Sequence, residues 1–283
     1  MVFESMGVTI NNSESRVKGL WPLIRSVVFG FIDGRYLAYR VAIRNIRVDY
    51  INTKLGFLWN FGEPVAYAII FSILRKGQVF HLGTIEMPYG LYVLYGIFMY
   101  HLFCQSIVRP LSFFTENAGL LKQVKVPAES ITLSALIRLF FDSLFPVVVL
   151  LLATLYYNQF QPVRFLFLVL MVPFLTLSGF SIGLLLTPFN RIYNDIGKLV
   201  VILLKPLLFI SPIFYKIEGE GLLEQINQYN YFTFLLENIR ALGVGVGEAT
   251  SVAIIAFFAV PLFVFFLASI LFNLAVPVLI DRG

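Results

Sequence analysis

Arg138 and Asp142 stand four residues apart in a strongly apolar stretch, a spacing that puts both on one surface of a helix. Charges in such a setting are costly unless they are paired or wetted. The pair is therefore either structural or part of a channel entrance. Glu63, just before Pro64, and Lys205, just before Pro206, interrupt two other runs that are otherwise uncharged. Glu63 either pairs with a basic residue upstream or lines a cytoplasmic mouth. At Lys205 the following proline breaks the backbone ladder and frees a carbonyl. The ammonium there either snorkels or meets an anionic lipid or sugar head. Aromatic rings form a second group. Tyr89, Tyr92 and Tyr95 fall within about a third of a helix circumference, and Trp59, Tyr67 and Phe71 lie on the run before them. Flat rings offer stacking faces that do not fix one register of whatever lies on them. The same residue types also populate membrane interfaces in general.

Other chemistries lack their residues. There is no G-x-x-x-x-G-K-[ST] to cradle nucleotide phosphates. GVGVGE at 243–248 has the glycines without the lysine and is expected to be a hinge or turn. His81 and His101 have no metal-ligand spacing, and the single cysteine, Cys104, reads as a small buried hydrophobe. No cofactor is expected on this chain. A membrane-embedded sugar transferase would need clustered acids or histidines at one interface, whereas Glu116 and Glu129 are separated by a cationic segment. No internal repeat is apparent, which weighs against an inverted-repeat secondary transporter.

The elements that carry these residues follow from composition. Of 283 residues 59% are hydrophobic and 13% charged, against about 25% charged in soluble domains. A soluble globule cannot hide that much apolar surface, and the runs do not alternate as outer-membrane strands do. Six runs are long enough, or nearly so, to cross a bilayer as helices, which takes about 20 residues. They are Leu55–Leu74, Met87–Val108, Ser143–Val163, Phe165–Asn190, Leu199–Tyr215 and Ala249–Ile280, the third starting near Ile131. An even number of spans puts both termini on one side. With the N-terminus inside, the outer segments hold only Arg75, Lys76, Arg164, Lys216 and Arg240, and most other Lys and Arg face the cytoplasm. The net charge of +5 thus reports topology, and no nucleic-acid partner is expected. No signal peptide is expected either.

Three further segments have a distinct character. Residues 1–30 read as an N-terminal extension. Residues 31–54 carry Tyr39, Ile43, Ile46 and Tyr50 at helical spacing beside Arg40, Arg44 and Arg47, as a basic helix on the cytoplasmic leaflet would. The long outer connection at 216–250 contains NYFTFLLENIRAL (230–242), an interfacial or re-entrant helix. Residues 55–283 then form the six-span domain.

The string TKLGFLWNFGEP (53–64), the cytoplasmic ENAGLLKQVKVPAESI (116–131) and ILLKPLLFISPIFY (202–215) together resemble the transmembrane subunit of ABC-2-type polysaccharide exporters, above all the capsule branch. The resemblance implies an all-α ABC-2 exporter fold with short re-entrant helices before the last span. It implies a homodimer in the bacterial inner membrane with cytoplasmic termini, paired with two copies of a cytoplasmic ABC ATPase that binds the ATP and Mg. The cargo would be a lipid-linked polysaccharide, handed to periplasmic and outer-membrane capsule export partners. O-antigen or teichoic-acid export is the alternative within the superfamily. The third string adds Lys205, Phe209 and Tyr215 to the channel candidates. The loop after the second span would supply the coupling helix, with Asn117, Gly119, Leu120, Leu121, Lys122, Val124 and Lys125 as its docking residues. There an apolar knob of Leu120, Leu121 and Val124 has a basic rim, which suits a groove on a soluble partner.

Overall fold

The computed structural model describes residues 20–51, 59–77, 85–116, 128–193, 195–217 and 221–281. Within them all regular structure is helical: α1 (Leu20–Ile51), α2 (Trp59–Lys76), α3 (Tyr89–Glu116), α4 (Ala128–Tyr156), α5 (Pro162–Ile192), α6 (Asp195–Ile210), α7 (Leu222–Gln228), α8 (Tyr231–Gly243) and α9 (Ser251–Asp281). Four stretches are long and apolar enough to cross a membrane: Tyr89–Phe113, Glu129–Tyr156, Pro162–Ile192 and Ser251–Ala275. The apolar part of α2, Pro64–Arg75, is shorter, and α6 has 16 residues.

Local sequence sets the ends of these helices. Pro162 opens α5 at a position where a missing N–H costs nothing. The α4–α5 turn passes through Asn158 in the left-handed region, φ 55°. Helix α6 stops at Ile210 because Ser211 precedes Pro212, and a residue before proline is pushed out of the α conformation. The expected fifth span reached Tyr215; residues 211–217 instead turn back across α3. Asn230 caps α8, its side chain accepting from the Phe232 and Thr233 amides at 3.1 and 3.4 Å. Gly245 and Gly247, at φ 84° and 87°, take the chain out of α8. Helix α1 starts at Leu20, inside the stretch read as an extension.

Helix α5 is the axis of the molecule, packed by α3, α9, α4 and α8. Its approach to α3 depends on two small residues a turn apart. A Cβ on Gly179 would sit 2.7 Å from the Phe103 carbonyl, and one on Gly183 would strike the Ile107 carbonyl and crowd Pro110. Such small-xxx-small seams let helix backbones touch where no hydrophobic effect drives association. Helix α1 lies on α4 by the same device: Gly30 meets Glu129, Gly34 meets Ser130, and Ala38 and Ala42 on that stripe are fully buried. Elsewhere the outer surface is apolar, with Leu144, Val148 and Leu152 on α4 and Val252, Ile255 and Phe263 on α9 exposed. That surface suits lipid, not water.

Candidate functional site

The three tyrosines of α3 point into the helix bundle and are almost fully buried. Tyr89 donates to the Phe214 carbonyl at 2.9 Å. Tyr92 reaches the Pro212 and Tyr215 carbonyls at 3.1 and 3.0 Å. Non-helical backbone in an apolar setting must have its polar groups satisfied by other protein groups. The tyrosine stripe meets that need for residues 211–217. The Tyr95 hydroxyl, by contrast, has no partner among the described residues.

Arg240 completes this clasp. It projects from α8 with 3% exposure. Its guanidinium lies 3.7 Å from the Tyr92 ring centroid. Nη1 donates to the Tyr92 hydroxyl at 2.9 Å and to the Pro212 carbonyl at 2.5 Å. Nη2 reaches the Tyr92 and Ile213 carbonyls at 3.3 Å each. Burial pulls its pKa down, with Tyr92 and Glu237 opposing the shift, and an arginine keeps its proton through such a change. Gly96 makes room, since a Cβ there would lie 2.8 Å from Arg240 Nη2 and 2.9 Å from Ile213. Counting Arg240 among the outer charges missed this role. The available signal was its register: Phe232, Leu236 and Arg240 recur every four residues, which sets the arginine on the apolar face of α8.

A polar knot holds the other side of the turn. Asn227 Nδ2 donates to the Ile210 carbonyl at 2.9 Å, Thr233 Oγ1 donates to Asn227 Oδ1 at 2.5 Å, and Asn230 Nδ2 donates to Ser211 Oγ at 2.9 Å. Tyr215 donates to the Phe209 and Ile210 carbonyls at 3.0 and 2.5 Å. No spacing in the sequence links these residues, because the turn that joins them exists only once α7 and α8 fold back on α6.

Outward from this clasp the surface changes character. Phe71 of α2 stacks on Phe214, centroids 3.6 Å apart, and Phe214 lies 6.0 Å from Phe209. Phe209 is 59% exposed. Lys205, one turn earlier on α6, is exposed as well, and Tyr67 on α2 is half-buried. Tyr100 of α3 holds α6 beside this face, donating to the Leu204 carbonyl at 2.9 Å. The ring series Phe71, Phe214 and Phe209 thus runs out to the surface one helical turn from Lys205, and Lys216 stands exposed in the 211–217 segment. Trp59 and Glu63 lie in the first turns of α2, but their side chains fall outside the described residues.

Toward the other end of α3, Arg138 Nε donates to both carboxylate oxygens of Asp142, at 3.1 and 2.9 Å. Arg109 of α3 adds a third member, Nη2 lying 3.7 Å from Asp142 Oδ2. The cluster ties α3 to α4, and no spacing along the chain connects Arg109 with it. The docking residues Asn117, Gly119, Leu120, Leu121, Lys122, Val124 and Lys125 lie outside the described residues. Among the described residues no group of His, Cys, Asp or Glu is disposed to hold a metal.

Comparison with known proteins gives this geometry a context. The family model for the ABC-2 type transporter matches residues 36–244. The polysialic acid transport protein KpsM of Escherichia coli is 28% identical over 191 residues, 67% of this chain and 74% of that protein. The O-antigen export system permease protein RfbA of Klebsiella pneumoniae is 22% identical over 176 residues, 61% of this chain and 66% of the relative. An RfbA of Myxococcus xanthus is 22% identical over 181 residues, 64% and 68% of the two chains.

Proposed function

The chain belongs to the ABC-2 type transporter family, and from that premise we propose that it is the membrane subunit of an exporter carrying lipid-linked capsular polysaccharide from cytoplasm to periplasm. The observation that carries the reading is the match across 36–244, which takes in α2 through α8 and so the whole clasp and the face beside it. In this reading α2 and α6 join the four longer helices as spans, giving six. Two copies pair in the inner membrane, with both termini in the cytoplasm and a separate ABC ATPase bound below each. The basic α1 lies on the cytoplasmic leaflet. Polymer contact belongs to the accessible set: Lys205, Phe209 and Tyr67, with Tyr215 at their edge and Trp59 and Glu63 at the cytoplasmic mouth. Tyr89, Tyr92 and Tyr95 form the scaffold behind it.

Deleting the gene should leave lipid-linked polymer inside the cell and none on the surface, and the chain should co-purify with an ABC ATPase. Replacing Leu120 and Leu121 together with Asp should leave the permease inserted but abolish both ATPase co-purification and export. A variant that keeps its ATPase and exports normally would remove the 117–125 segment from coupling. The RfbA relatives support a second reading, O-antigen export. Loss of the long lipopolysaccharide chain in the deletion strain, with capsule intact, selects it.

A further inference from the structure

Lys205 differs from most cations around it in having no partner among the described residues, and from Arg191 and Lys216, which likewise show none, in standing inside an apolar helical run instead of at or beyond a helix end. Arg109 and Arg138 share Asp142, Lys198 pairs with Asp195 at 3.1 Å, Arg75 covers the Tyr89 ring, Arg164 donates to the Val244 carbonyl at 2.7 Å, and Arg240 is bound by carbonyls. Lys205 has no hydrogen-bond or ion-pair partner among the described residues, and it is exposed. Val201 and Ile202, one turn before it, and Phe209, one turn after, are exposed and apolar. Helix α5, packed against α6, contains no acidic residue.

Depth decides what can meet this charge. The exposed Asp195–Lys198 pair marks the wet end of α6. Lys205 lies seven residues beyond Lys198, about 10 Å along the axis, and about 15 Å from Asp195. Half the hydrocarbon core is about 15 Å. A helical side chain leans toward its N-terminus, which brings the ammonium back toward Lys198 by only part of that distance. A lysine this deep needs a wet path or an anion brought to it.

We infer that Lys205 binds an anionic oxygen of the transported molecule, either the phosphate of its lipid carrier or a carboxylate of the polymer, as it passes the α6 face. The inference rests on the exporter reading and adds the charge of the cargo at this point of the path.

The test uses the full chain in phosphatidylcholine nanodiscs, with three probes: a polyprenyl phosphate, an oligoglucuronate and phosphatidylglycerol. Wild type should bind one of the first two. Lys205→Gln should weaken that binding about tenfold, the loss expected of a charge-assisted hydrogen bond, and Lys205→Arg should largely retain it. The responding probe names the source of the anion. Binding that Lys205→Gln leaves unchanged, or a Lys205-dependent response to phosphatidylglycerol alone, overturns the inference, as does no binding of any probe. Export in cells separates this from the wider reading. A deletion strain rescued equally by wild type and Lys205→Gln keeps the exporter and discards the lysine contact, whereas a deletion strain that never stopped exporting discards the exporter.

Discussion

Removing the hydroxyl of Tyr92 and removing that of Tyr95 should have different consequences, although the two rings sit one turn apart on α3. Tyr92→Phe strips the Pro212 and Tyr215 carbonyls and Arg240 of a partner. It should cost roughly 1–3 kcal/mol, read as a lower thermal unfolding midpoint in detergent. Tyr95→Phe removes an oxygen with no described partner and should leave that midpoint unchanged or raise it. Arg240→Lys should fail to rescue Arg240→Ala, because only the planar fork both stacks on Tyr92 and spans several acceptors. At the ionic cluster between α3 and α4, Arg109→Ala with Arg138→Ala takes away both guanidinium groups described beside Asp142. Adding Asp142→Ala removes the stranded carboxylate and should recover folded yield; equal yields would mean that the three do not act together. The i,i+4 spacing made two of the three members of this cluster legible. Arg109 and Arg240 were not, since their partners are 33 and 148 residues away and only tertiary packing joins them.

The elements were more legible than their contacts. Long uncharged runs announce helices, and α3, α4, α5 and α9 lie where those runs lie. What hydropathy cannot register is a run that stays apolar while the backbone changes course. Residues 211–215 are as apolar as α6, yet they leave the helix at Ser211–Pro212, and the satisfaction of their carbonyls is a matter of distant side chains. Nor does hydropathy distinguish a helix face built to touch protein from one built to touch lipid. On α5 that distinction lies in Gly179 and Gly183. Gly183→Ala should cost roughly 1–3 kcal/mol by overpacking against the Ile107 carbonyl, seen as loss of the monodisperse peak on size exclusion. Gly179→Leu should be worse. Gly221→Ala is the control, since nothing lies within 4 Å of the added carbon.

For the molecule as a whole, the asymmetry of Lys and Arg gives an orientation that labelling can check. With Cys104 replaced by Ala, a cysteine at Gly247 should react with an impermeant maleimide in intact cells, and one at Gln123 should react only after lysis. The reverse pattern would invert the topology and, with it, the direction of export. The clasp around Arg240 also has a consequence in time. Tyr92 and Arg240 are separated by 148 residues, which a ribosome takes roughly 7–30 s to synthesise at 5–20 residues per second. Through most of that interval α3 is already made while the arginine that closes the 211–217 turn does not yet exist. A nascent chain is therefore committed to the membrane well before it can be finished, and its quality is decided near its end. Chains cut after Gln228 should be cleared by membrane proteases as fast as missense variants of Arg240, and chains extended through Val246 should survive longer. Proofreading of this protein would then amount to waiting for one late residue to arrive.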